Sequence, residues 1–518
     1  MSIHFLDLPS EILTMIFYPL DLRSLIACIA TNRRVKSIID GSALLQYRLA
    51  AQAACVDDIP GNTSLTSTDR LAALQKRQAA FAEGLPSSMH TIQMDDFPIY
   101  KRYGLSGGIF VVTEPGEKAL RWTSLESSAQ QEPVWERLEF NEYIVEFALA
   151  VPEEDLLVVL SSTATPNADV PSSDVVLKLR FYEMTTHSAH RAAVEPVIVF
   201  PIAVTPWPEF ELDICGPKVS ILMFSVGDLG PSNRLLVYDW KKGRLQMERT
   251  TNFDQSTTVF LSPEVLLFVH TPGVLELWTI SELPERSEEP EISLTLPNLP
   301  DHCECEIKKV ELNPKGHYNA ASQPFGSSFA ASLVVLGLLY YPEEGSAFQE
   351  MFLIIPRQAL LQQISCAKRA KVLSWEEWGP PISRWIHANF GSYGAEWPTI
   401  ACGQKFAFIT PWSALVLLDF NSYTQRRTLP EQMELETGSV EFERILGQFV
   451  LMPSSELDIV DELTLFGGQP HSRLAYVGKV TQKPPTWSGV IMNEGWIVGI
   501  NDTTESDGKF WLDVWHFG

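Results

Sequence analysis

The sequence predicts a multidomain α+β chain: a small helical unit followed by a large all-β domain, a propeller of about six to eight blades. Three observations predict it. Apolar residues recur at helical spacing from Leu8 to Leu49. From about Ile92 the pattern changes to short β-rich runs broken by Pro, Gly, Ser and Asp. Similar strands then return at intervals, and Tyr238 to Leu277 is about 40 residues, the length of a propeller blade. The expected domains are a helical unit over 1–50, a helical linker over 51–90 and the β domain over 91–518.

Pro9 suits the first turn of a helix, where its missing N–H costs nothing. Glu11 sits in that turn, where the helix dipole favours it. Ile12, Leu13, Ile16, Phe17 and Leu20 follow as one apolar face, and Pro19 should end the helix near Tyr18. Asp21 can cap a second helix carrying Leu22, Leu25, Ile26 and Ile29. A third, from about Asn32 to Ile39, is closed by Asp40-Gly41, and Ser42 can cap a fourth through Leu44, Leu45 and Leu49. A unit this small rarely stands alone without a staple or a partner. Residues 55 to 66 read as a loop. Residues 69 to 81, "DRLAALQKRQAAF", read as an amphipathic helix with Leu71, Leu74 and Phe81 inward, bridging the opening unit and the body.

The β domain supplies strands such as "GGIFVVTE" (107–114), "EDLLVVLSS" (154–162), "DVVLKLRFYE" (174–183), "EVLLFVH" (264–270) and "SLVVLGLLYY" (332–341). "VEFALAVPEEDLLVVLS" reads as a hairpin. "LLVYDW", "VLELWT" and "LVLLDF" read as the same strand in successive units. Residues 356–372 interrupt the pattern with helical spacing at Leu360, Leu361 and Ile364, and lead into a Trp-rich stretch from Trp375 to Trp412 expected to fill gaps between sheets.

The net charge is -25. Residues 1–50 carry five basic and four acidic groups, so subtracting that +1 leaves −26 on the remainder. This balance argues against non-specific nucleic-acid binding and raises the prospect of a basic partner steered by the acidic body. No apolar run approaches the roughly 20 residues that span a bilayer, and the first residues do not read as a signal peptide. With seven scattered Cys, the expected location is cytoplasmic, nuclear or both.

No sequence motif carries catalysis. Gly104-Leu105-Ser106-Gly107-Gly108 matches G-x-S-x-G, but a nucleophile elbow needs a helix after the Ser, and "IFVVTE" is a strand. His302, Cys303 and Cys305 lack the second ligand pair of a structural zinc site. Glu153-Glu154, Glu343-Glu344 and Glu376-Glu377 are adjacent carboxylates expected in solvated turns. Neither metal nor cofactor is expected.

Leu8-Pro9-x-Glu11-Ile12-Leu13-x-x-Ile16-Phe17-x-x-Leu20, then Leu25-Ile26-x-Cys28 and Arg33-Arg34, resembles the F-box. "GSALLQYRLA", "DRLAALQKRQAAF", "LLVYDWKKG", "SWEEWGPPISRW" and "LVLLDFNSY" are similar to fungal, especially basidiomycete, F-box proteins with a divergent WD-like propeller. Leu22 stands where the family often has Pro, and Val35 where an aromatic is common. The resemblance implies that Leu8, Pro9, Ile12, Leu13, Ile16, Phe17, Leu20, Leu25 and Ile26 form the surface gripping a Skp-family adaptor, and through it a cullin. It implies a non-catalytic substrate receptor of an SCF-type ubiquitin ligase, whose body binds a protein target. Two alternatives stay open: an adaptor-bound scaffold without a degradation role, and a propeller enzyme of hydrolase type, which carboxylates clustered in a central channel would favour.

Overall fold

The computed structural model describes residues 5–59, 65–95, 102–126, 133–164, 175–202, 207–227, 230–251, 256–271, 273–281, 289–298, 303–319, 323–341, 349–366, 372–388, 400–409, 414–426, 449–452, 472–480, 487–502 and 509–518. Four helices open the chain: α1 (Ser10–Phe17), α2 (Leu22–Thr31), α3 (Arg33–Gly41) and α4 (Ala43–Ala53). The starts of α2, α3 and α4 are set by side chains that accept otherwise orphaned backbone N–H groups, whereas Pro9 opens α1 without a side-chain cap. Asp21 accepts from Ser24 N at 2.7 Å, Asn32 from Arg34 N at 2.7 Å and Ser42 from Leu45 N at 3.4 Å. Pro19 follows α1 two residues after its end, as its ring requires.

Residues 55–66, expected as a loop, contain a strand instead. Val56–Asp58 pairs antiparallel with Phe325–Ser327, far away in sequence. Three residues with one apolar position carry no strand signature of their own; the partner supplies it. α5 (Ser67–Glu83) follows, opened by a reciprocal capping box between Thr66 and Asp69 and closed by Gly84 at φ 66°.

Seven sheets of four or five antiparallel strands make the body, with one short parallel addition. Their first strands are Tyr103–Ser106, Tyr143–Ala150, Glu209–Cys215, Ser256–Ser262, Glu304–Leu312, Ala401–Cys402 and Gly489–Asn493. Each lies against the next, and the seventh returns to the first, closing a ring around a central axis. This is a seven-bladed β-propeller. The seventh blade takes its outer strand, Ser88–Asp95, from the N-terminal side of the ring, in register with Lys509–His516. The ring is thereby latched by main-chain hydrogen bonds between the two ends of the domain.

The hairpin expected at 143–162 is present as Tyr143–Ala150 and Leu156–Ser162. "LLVYDW", "VLELWT" and "LVLLDF" each form the third strand of a blade; the first two are in successive blades, the third and fourth, while the last is in the sixth, with one blade between. The fifth blade's third strand, Gln349–Pro356, ends "LIIP" and lacks the aromatic or Asp signature. A helix over Arg357–Cys366 and another over Trp375–Ile382 leave that blade; between them Val372–Leu373 adds in parallel to the fourth blade. Trp375, Trp378 and Trp385 fill the resulting gap, with ring centroids 5.2 and 5.7 Å from Trp375, and Trp378 Nε1 donates to Thr295 O at 2.9 Å. Trp397 and Trp412 lie outside the described residues.

Ile92 is buried on the latching strand. Ile92→Asp should leave an unpaired charge in the seventh blade's core and destabilise the domain by more than about 4 kcal/mol. Soluble yield and melting temperature of the full chain check this; unchanged melting would show that the latch does not hold the ring.

Candidate functional site

The expected single apolar face of α1 divides into two. Residues four apart share a face while neighbours stand about 100° apart, so Leu13 and Phe17 point one way and Ile12 and Ile16 another. Leu13 and Phe17 join Leu25, Val35, Ile39 and Leu45 in a small core. Three residues expected on the docking surface, Leu13, Phe17 and Leu25, are therefore interior. Leu8 and Leu20 are half-buried against that core, and Pro9 is exposed at the cap of α1. Leu22 and Val35, the two departures from the family pattern, are both buried.

What remains outside is an apolar stripe: Ile12 at 42% exposure, Met15 at 71%, Ile16 at 40% and, on α2, Ile26 at 50%. Phe5 and Tyr18 are exposed as well, Phe5 edge-on to Phe17 and Tyr18 beneath the Arg48 guanidinium. Met15 was not among the expected contacts, although its i+3 spacing from Ile12 places it on the same stripe. Backbone carbonyls at the ends of α1 are tied to later helices, Leu8 O by Arg34 and Leu20 O by Arg48 and Gln52, at 3.4–3.5 Å. The unit thus has its own core and still presents large apolar side chains to water.

α5 meets the propeller around one carboxylate that gathers several donors. Glu494, in the turn between the first two strands of the seventh blade, accepts from Arg77 Nη1 of α5 at 3.3 Å, Ser327 N at 2.8 Å, Ser327 Oγ at 3.1 Å and Cys402 Sγ at 3.4 Å, and from the Tyr318 hydroxyl. Burial, with the Glu494 charge beside them, pushes the Tyr318 phenol and the Cys402 thiol well above their usual ranges; both stay protonated donors. Arg77 also lies over the Phe325 ring at 4.5 Å. Phe81 stacks on Phe517 at 4.5 Å, and Asn421 donates to Ala53 O at 2.7 Å.

A second polar region lies on the propeller axis. The loop that follows the fifth blade's first strand crosses the ring to reach the second and third blades. Lys315 N donates to Glu153 Oε1 at 2.9 Å, Lys315 Nζ to Asp213 at 2.6 Å and Asn319 N to Pro152 O at 2.9 Å. Residues 313–319 thereby floor the axial channel on the face carrying α5. Glu153, expected in a solvated turn, is 4% exposed, and burial pushes its carboxyl up to about 7 against the Lys315 N–H. Its neighbour Glu154 pairs with Lys241 at 2.6 Å.

Above the floor stand Glu146, Glu211, Lys309 and Glu311 from the second, third and fifth blades. Glu146 pairs with Arg102 at 3.1 Å, and burial raises its carboxyl above the ordinary range despite that cation. Glu211 accepts from the Thr257 hydroxyl at 2.8 Å. Burial pushes it up to about 7, opposed by Thr257 and Lys309 and reinforced by Glu146.

The other motifs take structural places. Gly107 and Gly108, at φ 59° and 75°, make a hairpin turn, and Ser106 Oγ accepts from Val151 N at 3.1 Å. Cys303 accepts from the Tyr340 hydroxyl at 2.8 Å; His302 lies outside the described residues, as do Glu343 and Glu344. Glu376 and Glu377 occupy the first turn of a helix, where Glu377 accepts from Ser374 N at 2.8 Å. Among the described residues no group of three or more His, Cys, Asp or Glu is placed to hold a metal ion, and no helix is long and apolar enough to cross a membrane.

Glu494→Ala should leave Arg77 buried without its partner and destabilise the docking of α5 by about 3–5 kcal/mol. Faster hydrogen exchange in α5, with the outer propeller strands unchanged, is the expected result; equal protection of α5 in both proteins would refute the anchoring role.

The F-box domain model matches residues 5–47, spanning α1 to α3 and the start of α4. No curated protein matches the chain. Distant structural likeness is found to a functionally unknown protein from Desulfotomaculum acetoxidans (10% identity, 49% of this chain and 68% of that one, TM-score 0.25). A second is to Chaetomium thermophilum Sqt1, solved bound to the N-terminus of ribosomal protein L10 (12% identity, 60% and 79%, TM-score 0.26). At these scores neither carries an argument. Residues 5–47 are an F-box domain, and it precedes a seven-bladed propeller.

Proposed function

We propose that this protein is the substrate-recognition subunit of an SCF-type cullin–RING ubiquitin ligase. F-box domains bind Skp-family adaptors, and F-box proteins are generally non-catalytic receptors. The observation that carries the reading is the stripe of Ile12, Met15, Ile16 and Ile26, apolar and uncovered by the protein's own chain. The adaptor would cover it and bring in a cullin. The propeller would hold a protein target, in the cytoplasm, the nucleus or both. A fungal, WD-like type is part of the same proposal and rests on the body segments quoted above.

The protein then performs no bond chemistry. It raises the effective concentration of the target's lysines near a charged ubiquitin-conjugating enzyme. Such a tether works best when both ends are held in one geometry, and the Glu494 network joins α5 to the turns of the fifth, sixth and seventh blades. Among the alternatives, the hydrolase reading draws on the axial carboxylates Glu146 and Glu211. Arg102, Thr257 and Lys309 interleave them, and no metal cluster accompanies them among the described residues.

Ile16→Asp with Ile26→Asp should weaken co-purification with the adaptor on the order of 100-fold, about 3 kcal/mol, and lower the melting temperature far less than a core substitution, because about half of each side chain is already exposed. Leu13→Asp, by contrast, should unfold the helical unit. Adaptor binding that survives the double exchange at full strength would sink the assignment.

A further inference from the structure

We propose that the axial channel of the propeller is a docking site for one basic side chain, arginine or lysine, of a protein partner, received by Glu211 with Glu146 beside it. The inference rests on the receptor reading above and gives its target site a chemistry.

The location follows from which blades meet. Lys309 belongs to the fifth blade, while Glu146 and Glu211 belong to the second and third. Lys309 favours the charged forms of both carboxylates. Blades this far apart around a seven-membered ring come together only at its axis. Solvent reaches the Glu146 side chain, which is 22% exposed. The loop 313–319 closes the α5 side, so entry is from the opposite face, away from the F-box.

Charge accounting selects the ligand. The Arg102 guanidinium is shared between Glu146 at 3.1 Å and Glu117 at 3.8 Å. Lys309 Nζ lies 3.5 Å from Glu311, whose other oxygen accepts from Ile400 N. Lys315 is held by Asp213. Each of these three cations therefore has a carboxylate of its own. Glu211 does not have a cation within ion-pair distance among the described residues; its donors are the Thr257 hydroxyl and the Thr258 N–H. An independent observation lies at the floor of the channel. Glu153, more than nine-tenths buried, keeps its Oε2 without any hydrogen bond. An interior that holds more carboxylate than cation is stabilised by one added positive charge. A long aliphatic stem ending in a guanidinium or ammonium can carry that charge down a channel. An acidic exterior adds long-range steering of a basic partner.

The groups facing Glu211 are Thr257, Lys309 and Glu146. A raised acid binds a cation only once it has lost its proton, so affinity should climb as pH rises through about 7 and fall below it.

The test uses the full chain and fluorescein-labelled hexapeptides with one central arginine, the neutral isostere citrulline in its place, and free agmatine as a non-peptide source of the same guanidinium. Fluorescence anisotropy should show the arginine peptide binding at least tenfold more tightly than the citrulline peptide, and about tenfold more tightly at pH 8 than at pH 6. Glu211→Gln should remove both differences, while the exposed Glu291→Gln should keep them. Equal affinity for arginine and citrulline, no peptide binding at all, or a preference for agmatine alone would each overturn the proposal. If Glu211→Gln misfolds, the citrulline comparison on the unaltered protein still decides. Neither arm involves the adaptor, so failure here leaves the Ile16/Ile26 experiment standing, and the reverse also holds.

Discussion

The arrangement depends on the Glu494 carboxylate. Its two oxygens collect donors from α5, from the loop and short strand after the fifth blade's first strand, and from the sixth blade. A carboxylate taken this far from water is costly unless it is paired and fully hydrogen-bonded. Five donors meet that cost only if Arg77, Tyr318, Ser327 and Cys402 converge on one point. Convergence fixes α5 against the propeller, and α5 packs on α4; the Val56–Asp58 pairing with Phe325–Ser327 and the Asn421 bond to Ala53 O tie the helical unit down beside it.

Ring closure and linker docking support each other physically. The strand that latches the seventh blade begins at Ser88, five residues after α5 ends. The other side of that blade supplies Glu494 in its first turn and Phe517 just beyond its last strand. The elements that close the propeller are therefore the ones that seat the linker. Loosening either would loosen both, because main-chain hydrogen bonds in the latch and side-chain contacts under α5 draw on the same short stretch of chain.

Local signals were legible in the sequence. Asp21 and Ser42 cap where their residue types demanded, Pro19 stops α1, and the alternating strands stand where hydrophobic periodicity put them. Long-range pairings were not legible. Val56–Asp58 is a strand only because Phe325–Ser327 lies beside it. Glu153 sits in a one-turn helix, Val151–Glu154, between two strands, where a carboxylate usually meets water, but a loop from the fifth blade arrives to bury it. Within α1 the missed distinction was angular: Leu13 and Ile12 are equally apolar neighbours, and which of them faces the core is decided by α2, α3 and α4 together. The hub residue Glu494 carries no signal at all, since a Glu in a "NEG" turn is an ordinary choice for a solvated position.

The two ends of this molecule solve opposite problems of unmet interaction. The F-box caps three of its four helices and ties the carbonyls at the ends of α1, and it leaves apolar surface uncovered, a demand that another folded chain meets by burial. The propeller has covered its apolar surface blade by blade and, among the described residues, leaves Glu211 at the axis without a cation of its own, a demand that a basic group meets. Apolar burial is short-ranged and insensitive to salt, which suits a constant machine component. Charge acts at a distance and discriminates by sign, which suits the choice among many passing proteins. The division of chemistry between the ends thus parallels the division of labour proposed for them: one surface for a fixed partner and one for a selected partner, held apart by the floor at 313–319 and held in register by Glu494.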